Sequence, residues 1–416
     1  MTPSNWTNPA EIQARFRFLG LGAAVVCLAT WAWSFRPFDD PIDGFGTPLG
    51  ADFACFYVAA QMTAQGRVDE LYDPRAAERE LHALFPTLAP HASLPFRYPP
   101  FVAALVRPLA SLSYPAAWLL FTAGSVAALA WSWRLLVRQS TLLADAARRS
   151  AALCLFVGWP VVWETLLGGQ WSSWSLGIVC TSTYLVDRRR FVGAGAVLAL
   201  AAFKPSAMTY FAAGLLLRYP RTILGAVPVG AALVAASWWV VGTSGMQAYA
   251  ELGGRLAAGD WDVVPDAKKF HDLLPLAAAL FGSRARAVLL IVGAAATLAA
   301  VAASRRKATS SAAGDPRLFA RLLTINFLAN TYVPIYDLLL VAPSLLFAIE
   351  ARYRGPRPIG VGELVLLQIV AAVLFFGPSA SQETFGRTHV QWFAAAWALT
   401  TLIAFEFITQ ARSREA

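Results

Sequence analysis

The chain has 416 residues, 57% of them hydrophobic and only 14% charged, with a mean hydropathy of +0.52. A soluble domain carries about 25% charged residues, so this composition excludes an ordinary globular domain and calls for lipid as the solvent. The net charge is +9, but the basic residues fall in short clusters between apolar runs. Such spacing speaks against a nucleic-acid surface and for the cytoplasmic loops of a membrane protein.

The chain opens with a basic start and an apolar stretch from Phe18 to Phe35, which resembles a signal peptide. Its length, with Trp31 and Trp33, favours an uncleaved first membrane helix, because indole rings settle at the membrane interface. Apolar runs then mark membrane segments at 17–35, 115–137, 150–166, 170–187, 191–203, 206–218, 222–242, 285–303, 318–331, 334–350, 360–377 and 391–408. The expectation is an all-α, polytopic membrane protein of about 12 transmembrane segments, one membrane domain over 1–416. Alternation from a cytoplasmic N-terminus puts each basic cluster in the cytoplasm: Arg15/Arg17, Arg134/Arg138/Arg148/Arg149, Arg188/Arg189/Arg190, Arg218/Arg221, Arg305/Arg306/Lys307, Arg352/Arg354/Arg357 and Arg412/Arg414. Both termini are then cytoplasmic in an inner (cell) membrane.

Several segments are too short to cross about 30 Å at 1.5 Å per residue. The pairs 191–203/206–218 and 318–331/334–350 meet at Lys204-Pro205 and at Asn330–Pro334. Proline breaks a helix, and polar backbone at membrane depth survives only where protein or a water-filled cavity satisfies it. These breaks are candidate cavity walls. Two external loops are expected. The first, 36–114, holds nine acids against five arginines up to Arg97, with amphipathic interfacial helices at Ala51–Gln65 and Pro74–Leu84. Within it, 98–112 is apolar but contains Pro99, Pro100, Arg107 and Pro108, and it reads as re-entrant or interfacial, since a full span there would place the Arg134–Arg149 cluster outside. The second external loop covers 243–284.

The first loop reads Gly50-Ala51-Asp52-Phe53-Ala54-Cys55-Phe56-Tyr57, then Gly66, Leu71-Tyr72-Asp73, and Leu94-Pro95-Phe96-Arg97-Tyr98-Pro99-Pro100. Later come Gly168-Gly169-Gln170, Gly195 with Ala202-Phe203-Lys204-Pro205, and Tyr332 with Tyr336-Asp337-Leu338. In order and spacing these blocks resemble glycosyltransferase family 87, the polyprenyl-phosphate-sugar-dependent mannosyltransferases of the type C membrane fold. The resemblance covers about residues 15 to 350. It implies inverting transfer of a sugar, mannose by default, from a polyprenyl-phosphate donor to a glycan or glycolipid hydroxyl on the external (periplasmic) face. A phosphate leaving group needs no general acid, so one carboxylate base and a cation beside the phosphate suffice. No cofactor is expected and no phosphate-cradling glycine loop is present.

On this resemblance Asp52 is the catalytic base, and Lys204 with Arg97 and Tyr98 binds the donor phosphate. Each residue type also has a plainer use. Asp52 either takes the proton or caps the following helix; Asp39 and Asp40 are alternative bases. Lys204, an ionisable residue between apolar helices, either meets phosphate or reaches the interface. Arg97 and Tyr98 bind with it or anchor the loop. Glu164 and Gln170 line the donor entrance or cap helices, and Asp337 is a substrate contact or the buried partner of an arginine. Tyr57, Asn330, Tyr336 and His271 complete the candidate substrate contacts. The four histidines, His82, His91, His271 and His389, lack metal-ligand spacing, and Cys27, Cys55, Cys154 and Cys180 are scattered, so no metal site or disulfide framework is expected. Two rivals remain: a transporter or flippase, which would show two related halves, and a lipid-linked glycan polymerase or ligase with its large external loop late in the chain.

Overall fold

The computed structural model of the chain describes residues 8–34, 41–42, 46–89, 94–258, 270–306, 314–354 and 360–388, with Phe393 and Ala396. Those residues form helices and no strand. Helix α1 (Pro9–Ser34) leads to α2 (Phe53–Ala64), α3 (Pro74–Leu84) and α4 (Pro100–Val106). Next come α5 (Tyr114–Gln139), α6 (Ala146–Gly158), α7 (Pro160–Leu167), α8 (Ser172–Asp187), α9 (Phe191–Ala199) and α10 (Thr209–Arg218). The remainder are α11 (Ile223–Ala258), α12 (Leu274–Phe281), α13 (Ala285–Arg306), α14 (Pro316–Ala329), α15 (Val341–Tyr353) and α16 (Val361–Thr388).

Exposed apolar surface identifies the solvent. Trp239 on α11 is 91% exposed, Phe18 on α1 82% and Ile291 on α13 69%, which is tolerable in lipid and not in water. The stretches Pro9–Trp33, Tyr114–Gln139, Pro220–Leu256 and Leu274–Arg306 are each long and apolar enough to cross a bilayer. Helices α6 and α7, bent by 49° at the break between them, make a fifth if counted as one span. By contrast α8, α9, α10, α14 and α15 have 16, 9, 10, 14 and 13 residues. Even the longest reaches only about 24 Å at 1.5 Å per residue. Among the described residues, length and apolar composition together identify four or five spans, and the expected twelve are not established by them. The expected last segment, 391–408, lies outside the described residues apart from Phe393 and Ala396, as do Asp39 and Asp40.

The first loop folds differently from its expectation. Helix α2 is not amphipathic: ten of its twelve residues are buried, because Phe53, Phe56 and their neighbours are apolar all round the helix. Phe56 packs edge-on against Trp171 at 5.7 Å and Tyr98 at 4.8 Å, while Phe53 lies 5.2 Å from Phe121. Helix α3 does keep one buried side, formed by Ala76, Ala77 and Leu81. Asp73 caps it, accepting from the Arg75 amide at 2.9 Å. Arg67 ties the preceding turn to α3 through Glu70 at 2.8 Å and Glu80 at 2.5 Å. Helix α4 and the 3₁₀ turn Arg107–Ser111 together reach about 20 Å, too short to cross. In the second polar stretch α11 continues as helix to Ala258 after a break at Gly242, where φ is +63°; residues 259–269 lie outside the described set.

Two contacts lock the helices together. A Cβ on Gly20 of α1 would fall 2.2 Å from the Cys154 carbonyl oxygen, and one on Gly158 only 1.9 Å from the Gly20 oxygen, so α1 and α6 meet backbone to backbone. Without water to drive association, such close approach is how membrane helices gain packing energy. The second contact is Glu350, buried on α15. It accepts from Ser140 Oγ at 2.7 Å, the Thr141 and Leu142 amides at 2.8 and 3.0 Å, and Arg354 Nε at 2.7 Å. The carboxylate thereby pins α15 to the turn after α5. An amide there offers one acceptor oxygen where two are used and aims N–H groups at donors. Glu350→Gln should therefore cost about 3–5 kcal/mol, as breaking a buried charged network does, read as a large fall in the detergent melting temperature. An unchanged melting temperature would show the hub contributes nothing to the fold.

Candidate active site

The site begins in the turn before α2. Gly50 has φ +80° and Ala51 φ +39°; the second value costs a non-glycine residue about 1–3 kcal/mol and persists only where the surroundings hold it. Here the Ala51 amide donates to the Pro48 carbonyl at 2.6 Å and the Phe53 amide to that of Gly50 at 2.7 Å. Asp52 occupies the N-cap position of α2, yet its side chain makes no capping bond. Instead Asp52 Oδ2 accepts a hydrogen bond from Gln170 Nε2. A close approach makes this possible: Gly169, with φ +61°, lies against the turn, where a Cβ would stand 2.3 Å from Phe53 Cβ and 2.9 Å from the Gly50 oxygen.

Gln170 is itself fixed. It is 2% exposed, and its Oε1 accepts from the Tyr98 hydroxyl at 3.3 Å, while the Tyr98 carbonyl accepts from Tyr72 at 2.9 Å. Burial pushes the Tyr98 hydroxyl far above its ordinary pKa, so it stays a donor. That choice turns the oxygen of Gln170 toward Tyr98 and its N–H group toward Asp52. The carboxylate is held in one orientation by a chain running Tyr72, Tyr98, Gln170, Asp52.

The second cluster forms where two pairs of helices break. The chain passes from α9 through 3₁₀ turns at Leu200–Phe203 and Pro205–Ala207 to α10, and from α14 through a 3₁₀ turn at Ile335–Leu340 to α15. Asn326 on α14 supplies what the first break lacks: its Oδ1 accepts from the Tyr210 amide at 3.1 Å and its Nδ2 donates to the Ala207 carbonyl at 2.6 Å. Asn330 does likewise for the Ser206 carbonyl at 2.6 Å. Between the breaks, Lys204 Nζ meets Asp337 Oδ1 at 2.6 Å with their side chains only 6% and 4% exposed. Ser172 Oγ donates to the same oxygen at 2.6 Å. The Tyr336 ring lies over the ammonium at 4.5 Å, a cation–π contact.

The two clusters are neighbours, because Gln170 bonds Asp52 and Ser172, only two residues further on, bonds Asp337. Arg97, half-buried, acts on Tyr332 and Cys55, and its buried Nε has no hydrogen-bond partner among the described residues. Other candidates stand elsewhere. The Tyr57 hydroxyl donates to the Leu112 carbonyl at 2.7 Å, an anchor for α2. Glu164 is exposed on α7. His271 is buried in the second loop, its amide donating to the Val333 carbonyl at 2.7 Å. Among the described residues, no three of His, Cys, Asp and Glu gather as a metal-holding group.

Ser172 and the pairing of Lys204 with Asp337 were not foreseen. Where an arginine is the expected buried partner of Asp337, a lysine stands there. A buried ion pair loses its balance when one partner is removed, at about 3–5 kcal/mol. Lys204→Gln should lower the melting temperature strongly, and adding Asp337→Asn should restore much of it. If the double variant melts no higher than the single one, the pair is not a coupled unit.

The sequence model of glycosyltransferase family 87 matches residues 96–331. No curated protein and no solved structure matches the chain. The match takes in Arg97, Tyr98, Gln170, Ser172 and Lys204, and it leaves Asp52 before it and Asp337 after it. It covers more than half of the 416 residues, and the chain, a membrane protein with this site at its broken helices, belongs to glycosyltransferase family 87.

Proposed function

We propose that this glycosyltransferase moves a sugar, mannose by default, from a polyprenyl-phosphate donor to a hydroxyl of a glycan or glycolipid on the external (periplasmic) face, with inversion at the anomeric carbon. The observation that carries this is Asp52, freed from capping and oriented by Gln170, in the same neighbourhood as the buried cation Lys204. The acceptor oxygen attacks the anomeric carbon from the face opposite the phosphate as Asp52 takes its proton. The carbon–oxygen bond to phosphate breaks, and the leaving group departs as a phosphate monoester. Charge gathers on that phosphate in a low-dielectric site, where Lys204 and Arg97 stabilise it best. Tyr98 holds the base in place, and Tyr336 and Asp337 stand beside the donor. The short helices, counted singly, bring the total to about 12 membrane segments, with both termini cytoplasmic and the lipid bilayer supplying the donor. No cofactor takes part in this scheme.

Asp52→Asn keeps the shape and the bond to Gln170 but cannot accept a proton. Transfer should fall about 10²–10⁴-fold, while donor binding and melting temperature stay near wild type. Retained turnover would remove Asp52 as the base.

Orientation has its own test. In a variant lacking the four native cysteines, a cysteine placed at Asp69 should react with an impermeant thiol reagent added outside the cell, and one at Arg306 should not. The opposite pattern would put the site on the cytoplasmic side.

A further inference from the structure

Lys204 and Asp337 each keep unused bonding capacity, and the two capacities are chemically different. An ammonium has three N–H donors, and Lys204 spends one of them on Asp337 Oδ1. Asp337 Oδ1 is taken by Lys204 and Ser172. Its other oxygen, Oδ2, is buried and has no hydrogen-bond partner among the described residues. A buried acceptor left without a donor is unfavourable, so a ligand that brings a hydroxyl to it gains there. The pair therefore presents donors for a phosphate and, directly beside them, an anionic acceptor.

Building on the donor assignment above, we infer that Asp337 is a specificity-determining residue that makes this site prefer the sugar-loaded lipid phosphate to the spent carrier. In the loaded donor the phosphate is a diester with a single charge, and hydroxyls of the sugar lie next to it. The phosphate faces Lys204 while a sugar hydroxyl donates to Asp337 Oδ2. Once the sugar has left, the phosphate is a monoester that gains a second negative charge near neutral pH, and it has no sugar hydroxyl to offer. The same carboxylate then faces an extra like charge with its acceptor unsatisfied again. Loaded donor is held and spent carrier is expelled by one residue. A cation site lacking such an acid would do the reverse, since a dianion is attracted to lysine and arginine more strongly than a monoanion.

Three probes separate these cases: a polyprenyl phosphate, its methyl ester and its mannosyl ester, titrated against purified protein at pH 8. Wild type should bind the mannosyl ester most tightly, the methyl ester about tenfold more weakly, and the free phosphate about tenfold more weakly again, each step reflecting one lost bond or one added charge. Asp337→Asn should shift the ends in opposite directions, loosening the mannosyl ester and tightening the free phosphate. A residue with only a structural role would weaken all three alike. Should the variant fail to fold, the wild-type order decides alone: equal affinities, or the free phosphate binding tightest, would overturn the inference and leave the lipid-phosphate donor standing. If none of the three binds wild type, the donor assignment itself falls, and the inference with it.

Discussion

Lipid satisfies no polar group, and the rest of this structure depends on that constraint. Wherever a helix stops inside the protein, some side chain must stand in for the missing backbone partner. Asn326 and Asn330 do so for the break between α9 and α10. The helices break because Pro205 removes a donor and Pro334 opens the second turn. Both breaks meet one another, since the asparagines that repair the first belong to the end of α14, next to the second. Lys204 and Asp337 stand one on each break, so the repaired region is also the charged one. Support and the buried charges come from neighbouring residues.

A charge buried this deeply needs a rigid frame as well as a partner. Helix α2 supplies part of it. Its aromatic side chains pack against Trp171, Phe121 and Tyr98, and Trp171 directly follows Gln170, which orients Asp52. Packing around α2 and the position of the Asp52 carboxylate are therefore coupled: the Gly169 turn that lets Phe53 approach also delivers the amide. Because α2 is largely apolar, its polar groups are few: Asp52 at its start, Gln61, the Tyr57 hydroxyl bonded to the Leu112 carbonyl and the Thr63 hydroxyl bonded to the Ala59 carbonyl.

Much of the helical pattern was legible in the sequence. Hydropathy placed a helix in nearly every expected segment within the described residues, and Lys204-Pro205 announced its break because proline and charge interrupt an apolar run. Helix α2 was misread as amphipathic although its run from Phe53 to Ala60 is apolar all round, the signature of a buried helix. Its place in a loop rich in acids outweighed that signal. Length and apolar composition establish only four or five spans among the described residues, since hydropathy does not record where an apolar run breaks into short helices. The ion pair was beyond reach for another reason. Lys204 and Asp337 are 133 positions apart, and nothing in either segment specifies the other. Ser172 carried no signal at all, being one of several serines at the start of α8.

Charge accounting connects these parts. In the proposed scheme Asp52 and Asp337 balance Arg97 and Lys204, so the four side chains sum to zero before a donor arrives. A phosphodiester donor brings one negative charge, and the proposed transfer leaves the total unchanged: Asp52 is neutralised by the acceptor's proton as the phosphate gains a charge. What changes is location. Negative charge moves away from the base held by Gln170 and onto the phosphate beside Lys204 and Arg97. Fixed cations stabilise that movement most when they need no rearrangement at the moment of reaction. In the proposed scheme the bond to Asp337 keeps Lys204 in place for it, while limiting how strongly that lysine holds the product. An unpaired lysine would attract the phosphate more strongly at every stage, and the stage it would favour most is the dianionic product that has to leave.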